Sequence, residues 1–147
     1  MAKSNLYFIA LLPDTELKEK IKQLKEVMAN RYRAKHALKL PAHITLQMPF
    51  SRNEEEEQSI VDVLTNFSRT QKTFQIELSH FGNFAPLAIY LRVVPNNTLI
   101  TLQKSLINIL QTNLKFNDRE LLQKFTPHIT IATRDLSKEM FHCAWEK

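Results

Sequence analysis

The sequence predicts an α/β protein, one domain with two lobes built on an internally repeated strand–helix–strand unit. Three observations carry that reading. Apolar residues alternate between strand-like and helix-like spacing along the whole chain, in the order β, α, β, α, β, β, α, β, α. The tripeptide His-Ile-Thr occurs twice, as His43-Ile44-Thr45 and His128-Ile129-Thr130, each shortly after a proline and within an apolar run. Each copy also follows a strand, a proline break and a helix, with 30 positions from Pro13 to His43 and 33 from Pro95 to His128. Such near-equal spacing indicates duplication and a pseudo-two-fold relation that would face His43 against His128. With about a quarter of positions aliphatic and roughly one in fourteen threonine, two of five histidines would start this tripeptide only about four times in a thousand. Coincidence is disfavoured.

In order along the chain, Tyr7 to Leu12 reads as a strand, Pro13 ends it, and Asp14 caps a helix with Leu17, Ile21, Leu24 and Met28 on one face. A basic connection containing Arg31, Arg33, Lys35, His36 and Lys39 leads to Pro41 and the first motif strand, which Pro49-Phe50 is expected to end. Asn53 is placed as the cap of a helix running to about Phe67. Its first turn holds Glu54 to Glu57, which suit the positive end of the helix dipole and are assigned no chemistry. Phe74 to Ser79 and Ala88 to Val94 read as two strands joined through His80-Phe81-Gly82-Asn83-Phe84. Gly82, the single glycine, invites a bulge or tight turn there. Ile89 to Val94 opens the second repeat, Pro95-Asn96 breaks it, and Leu99, Leu102, Leu106 and Leu110 form a helical stripe before Pro127 and the second motif. A final helix carries Cys143 beside Phe141 and Ala144, where a small buried side chain is expected. The repeats span about 6–50 and 88–135.

Composition narrows the function. A chain of 147 residues, 44% hydrophobic, can bury one sizeable core and is short for two independent ones. A net charge of +5 and a pI near 9.4 favour an anionic partner. One cysteine forms no internal disulfide, and no signal-peptide pattern opens the chain, so the cytoplasm is the expected compartment. Asn5 to Leu12 is too brief to span a bilayer, and no membrane role is expected. The lone glycine argues against phosphate-cradling loops, and with them against ATP, GTP and NAD chemistry. No cofactor is expected.

The chemistry lies in the repeated tripeptide. On a strand, His and Thr share one face while the intervening Ile takes the other. Two such strands facing each other would set two imidazoles and two hydroxyls around one anion, the groups an acid–base attack on a phosphodiester requires. Imidazole serves as base or acid because its pKa lies near neutrality. His43 and His128 are each followed two positions later by Thr45 or Thr130, not by a second ligand, so a metal site is not expected. Aligning the repeats by their prolines sets Phe8 opposite Tyr90 and Ala10 opposite Arg92, which places Phe8, Tyr90 and Arg92 on the substrate face. An aromatic there can stack on a base, and an arginine can hold a phosphate bidentately. Core packing is the competing reading for Phe8 and Tyr90. His80 and His142 lie outside any motif and read as structural or surface residues.

These features resemble the two-histidine (2H) phosphoesterases, which include the RNA 2′,3′-cyclic phosphodiesterases also called 2′-5′ RNA ligases. The resemblance rests on the strand Tyr-Phe-Ile-Ala-Leu, on Pro-Ala-His-Ile-Thr-Leu with Pro49-Phe50 behind it, on Phe81-Gly82-Asn83-Phe84, and on Thr-Pro-His-Ile-Thr-Ile. It covers most of the chain. It implies a bilobal fold with antiparallel sheets lining a central cleft, helices outside and no metal. It further implies that His43 and His128 are the acid–base pair, that Thr45 and Thr130 bind phosphoryl oxygens, and that the partner is an RNA terminus or a nucleotide cyclic phosphate. Ligation, the reverse reaction, accompanies hydrolysis in some relatives. Such relatives usually continue past the last helix into further strands, whereas this chain stops at Lys147, so those strands are expected to be absent. A minimal variant, completion by another subunit and a fragment all stay open. The rival function is a non-catalytic binder of RNA ends or phosphorylated nucleotides, which would need the hydroxyls and arginines but not both imidazoles. A purely structural domain would leave the repeated His and Thr unexplained.

Overall fold

Strand β1 (Ser4–Leu11) and helix α1 (Thr15–Tyr32) open the chain, and β4 (Ala88–Val93) and α3 (Asn97–Asn113) repeat them by the same local rules. Asp14 accepts the Leu17 N–H at 2.8 Å, and Asn96 accepts the Leu99 N–H at 3.0 Å, so each helix has the same side-chain cap. Both helices also end alike. Arg33 and Lys115 adopt left-handed backbone, at φ 60° and 55°. The next N–H, from Ala34 or Phe116, returns to the Met28 or Leu110 carbonyl, and both residues are buried. In both helices the N–H just past the left-handed residue thus reaches a carbonyl six positions back, near the helix end, where acceptors run short of intrahelical donors.

The computed structural model describes residues 3–121 and 124–146. After α1 come β2 (Ile44–Asn53), which carries the first motif, α2 (Glu57–Arg69) and β3 (Leu78–Phe84), and after α3 come the single turn α4 (Asp118–Leu121), β5 (His128–Thr133) and α5 (Lys138–Trp145). Short 3₁₀ turns occupy His36–Lys39 and Glu54–Glu56. β1 pairs with β2 in one sheet, and β3, β4 and β5 form a second, antiparallel sheet in that order. No helix among the described residues is long and apolar enough to cross a membrane.

Several boundaries differ from the sequence expectation, each for a physical reason. β2 runs through Pro49-Phe50 to Asn53, because a strand paired on one side within a two-stranded sheet tolerates a proline that lacks an N–H. Asn53 makes no side-chain capping bond. The pentapeptide His80 to Phe84 is not a connection but most of β3, while residues 74–77 lie outside any strand. In α1 the buried residues are Ile21, Lys25, Met28 and Ala29, with Leu17 and Leu24 only half-buried. Cys143 is exposed on α5 rather than buried. Lys147, which the sequence places in the final helix, lies outside the described residues.

Contacts divide the chain into two units that do not coincide with the repeats. The first comprises Met1–Ile9, Leu46–Ile76 and Pro95–Thr126. In it α2 packs on α3, and the stripe Leu99, Leu102, Leu106 and Leu110, at most 7% exposed, supplies much of the core, each side chain contributing about 1.5–3 kcal/mol. Gln103 on α3 donates to the Leu46 carbonyl at 3.4 Å. Arg52 bonds both carboxylate oxygens of Glu120, at 2.6 and 3.0 Å, while its guanidinium lies 4.3 Å from the Phe116 ring centroid. Buried Gln47 donates to the Glu120 backbone carbonyl at 2.9 Å, so α4 is tied to β2 through both its side chain and its backbone.

The second unit comprises Ala10–Thr45, Glu77–Val94 and Pro127–Lys147. There α1 packs against β5, and α5 packs against α1 and β4. Ser137 caps α5 by accepting the Met140 N–H, and Leu136 and Phe141 are buried. Each unit therefore combines a helix from one repeat with strands from the other.

Candidate active site

Register in the three-stranded sheet decides which side chains meet. β4 and β5 pair Arg92 with His128, Leu91 with Ile129, and Tyr90 with Thr130. Alternation then sets His128, Thr130, Tyr90 and Arg92 on one face, and Leu91, Val93 and Ile129 on the other. The second group is buried, at 0–9% exposure. The first group is half-buried, except for Arg92, which is exposed. A bulge at Ile131 shifts the register beyond Thr130, and Ile131 and Ala132 are both buried.

The His128 ring belongs to an aromatic cluster. It lies 4.9 Å from the Tyr90 ring and 5.2 Å from Phe84, edge-on to the latter, while Phe84 and Tyr90 are 4.7 Å apart. Pairs of this geometry contribute about 0.5–1.5 kcal/mol beyond area burial, enough to restrict the rotamer of the imidazole. Gly82 makes the arrangement possible. It pairs with Tyr90 across β3 and β4, and a Cβ at residue 82 would fall on the Tyr90 ring. Its φ is not positive, so the glycine supplies space rather than an unusual backbone; the β3 bulge lies instead at His80, at φ 65°. The sequence alone points to a bulge or tight turn at Gly82 and gives Phe84 no role, and the only signal for either is their proximity in Phe81-Gly82-Asn83-Phe84.

Gly82→Ala is expected to displace the Tyr90 ring, because Cβ has no space beneath it. A loss of about 1–3 kcal/mol in denaturant unfolding is expected, as for overpacking elsewhere, with a shift of the His128 imidazole NMR signals. Unchanged stability and an unmoved His128 signal would show that the ring does not rest on residue 82.

The first motif sits at the entry to β2. Ala42, Ile44 and Leu46 are buried, while the alternating His43 and Thr45 are half-buried. His43 Nδ1 lies 2.9 Å from the Pro41 carbonyl oxygen. A carbonyl only accepts, so Nδ1 is the donor and carries the proton. In the neutral ring Nε2 is then the basic nitrogen. Both His-x-Thr motifs fall in the second unit, as do Tyr90 and Arg92. Phe8 lies on β1 in the first unit and is 40% exposed. His80 and His142 are exposed. Among the described residues, no three His, Cys, Asp or Glu side chains gather into a set that could hold a metal ion.

Comparison with known proteins places this geometry. A family model described as the 2′-5′ RNA ligase superfamily matches residues 13–147. A protein of Oceanobacillus iheyensis, named as a candidate phosphoesterase, is 31% identical over 140 residues, covering 92% of this chain and 74% of its own length. A candidate phosphoesterase of Geobacillus sp. strain WCH70 is 32% identical over 135 residues, covering 88% of this chain and 69% of its own. The crystal structure of TT0787 of Thermus thermophilus superposes with a TM-score of 0.68 at 19% identity, covering 90% of this chain and 75% of that one, which shows a shared fold.

Proposed function

Because the chain belongs to the 2′-5′ RNA ligase superfamily, the two-histidine phosphoesterases, we propose that it opens 2′,3′-cyclic phosphates on RNA ends or nucleotides, using His43 and His128 as acid and base without a metal. Reverse 2′-5′ ligation is the proposed accompanying activity. The supporting observation is the ladder that sets Arg92 opposite His128 and Tyr90 opposite Thr130 on one face, in the unit that also carries His43 and Thr45.

Opening the ring forms one bond from a water oxygen to phosphorus and breaks the bond to one ribose oxygen on the opposite side. One imidazole takes the proton of the water, and the other gives its proton to the departing oxygen. The threonine hydroxyls donate to the non-bridging oxygens as their charge redistributes. The Arg92 guanidinium can hold a phosphate oxygen pair, and the Tyr90 and Phe84 rings offer a surface on which a base can stack. For His43 the Pro41 carbonyl engages Nδ1, which makes Nε2 the atom that moves the proton.

The testing experiment is turnover of a panel of cyclic phosphates in excess chelator across pH. Activity is expected to persist and to follow a bell-shaped profile, because one imidazole must be neutral while the other is protonated. Loss on chelation with recovery on adding zinc or manganese would overturn the metal-free scheme. Tight binding of cyclic-phosphate ends with turnover of none would favour the non-catalytic binder.

A further inference from the structure

We propose that Asp135 is a positioning residue that sets His43 against His128 by clamping the 3₁₀ turn His36–Lys39 to the end of the strand carrying His128. This rests on the functional reading of the two histidines above. Arg134, at φ 54°, turns the chain just past β5, and the Asp135 N–H returns to the Thr133 carbonyl at 2.6 Å. That turn aims the Asp135 carboxylate back at the connection before the first motif. Oδ2 accepts the Lys35 N–H at 2.8 Å, and the His36 N–H lies 3.1 and 3.0 Å from Oδ1 and Oδ2. These bonds join residues 99 and 100 positions apart in sequence.

The other end of the same turn is also held. Lys25, buried in α1, donates from Nζ to the Leu40 carbonyl at 3.0 Å. A carboxylate thus meets the N–H end of the turn and an amine meets its carbonyl end, each matched to the local backbone dipole. Burial lowers the Lys25 pKa, and the amine donates a hydrogen bond in either protonation state. Burial alone would raise the Asp135 carboxyl, but the Lys35 and His36 N–H bonds outweigh it and hold it below the ordinary aspartate range. It is therefore ionised at neutral pH.

The consequence is a connection between the two imidazoles that runs through the clamped turn. His128 is seven positions before Asp135, and His36, which Asp135 binds, is seven positions before His43. Buried Leu136 anchors one end of this route and buried Ala42 the other. Asp135 touches no reacting atom in this scheme; it acts through the turn.

The test compares wild-type protein with Asp135→Ala, Asp135→Asn and Asp135→Glu, using 2′,3′-cyclic AMP turnover and the imidazole proton–carbon NMR signals of His43 and His128. Asp135→Ala is expected to lower kcat at least tenfold with KM within threefold, and to shift the His43 signals. Asp135→Glu, which restores both acceptors, is expected to recover part of both. Asp135→Asn keeps one acceptor and gives the same readings should the alanine variant fold poorly. Signals of His43 that match wild type in folded Asp135 variants would overturn the proposal, as would kcat within twofold of wild type. Should wild type turn over no cyclic phosphate, the functional reading fails, and the His43 signals still decide whether Asp135 positions that ring.

Discussion

His43→Ala and His128→Ala are each expected to lower turnover of a 2′,3′-cyclic phosphate by roughly 10²–10⁴ while leaving substrate affinity within a few-fold. An imidazole that moves a proton contributes mainly in the transition state, so its removal registers in kcat rather than in binding. Thr45→Ala and Thr130→Ala should cost less, since each removes one hydrogen bond of several. The double histidine variant should be little worse than the poorer single variant, because groups acting in one step are not additive. Steady-state kinetics with a parallel binding measurement reads all five. Equal losses in KM with unchanged kcat would assign the imidazoles to substrate binding alone.

Arg52→Leu is expected to produce the largest loss of stability among the described polar residues. The Arg52 and Glu120 side chains are 17% and 20% exposed, so truncating one leaves a largely desolvated charge without its bidentate partner, and the guanidinium contact with Phe116 is lost as well. A fully buried pair broken in this way costs about 3–5 kcal/mol, and residual solvent access reduces the expectation to about 1–3 kcal/mol. In a chain of this size, about 2 kcal/mol lowers Tm by roughly 4–8 °C. Replacing both residues with leucine should recover much of the loss, since no charge is then stranded. A single variant melting within one degree of wild type would refute this account.

The pair also predicts a pH dependence. The Arg52 hydrogen bond holds the Glu120 carboxyl below its ordinary value of 4.5. A depressed carboxylate contributes stability that is complete above the unfolded value and disappears as pH falls through the folded one. Wild-type protein should accordingly lose stability below about pH 4.5, and a variant lacking Arg52 should show a shallower loss over that window.

Much of the local structure around the candidate site was legible in the sequence because its rules are local. Asp14 and Asn96 cap helices by bonding a backbone N–H three residues on, and Pro13 and Pro95 end strands without help from distant residues. Strand alternation alone put His128 and Thr130 on the face opposite Ile129, and alignment of the repeats by their prolines put Tyr90 and Arg92 on a common face. The proposed repeat shows in the sequence as spacing, and Arg33 and Lys115, just past α1 and α3, both adopt left-handed backbone.

What only the tertiary structure decided depends on contacts between residues far apart in sequence. Gly82 is required by a tyrosine ring on the next strand, not by its own φ, so no local pattern could have revealed its role. Lys25 occupies the buried side of α1 because a carbonyl fifteen positions away accepts its amine, against the rule that apolar residues mark a helix's inner face. Asp135 gains its partners only where the fold brings the Lys35 and His36 N–H groups, about a hundred positions away, against its carboxylate. The pairing of each repeat's helix with the other repeat's strands is of the same kind. Sequence determined the elements, their caps and the motif faces through nearest-neighbour geometry, and the folded chain determined their partners through long-range packing and hydrogen bonding.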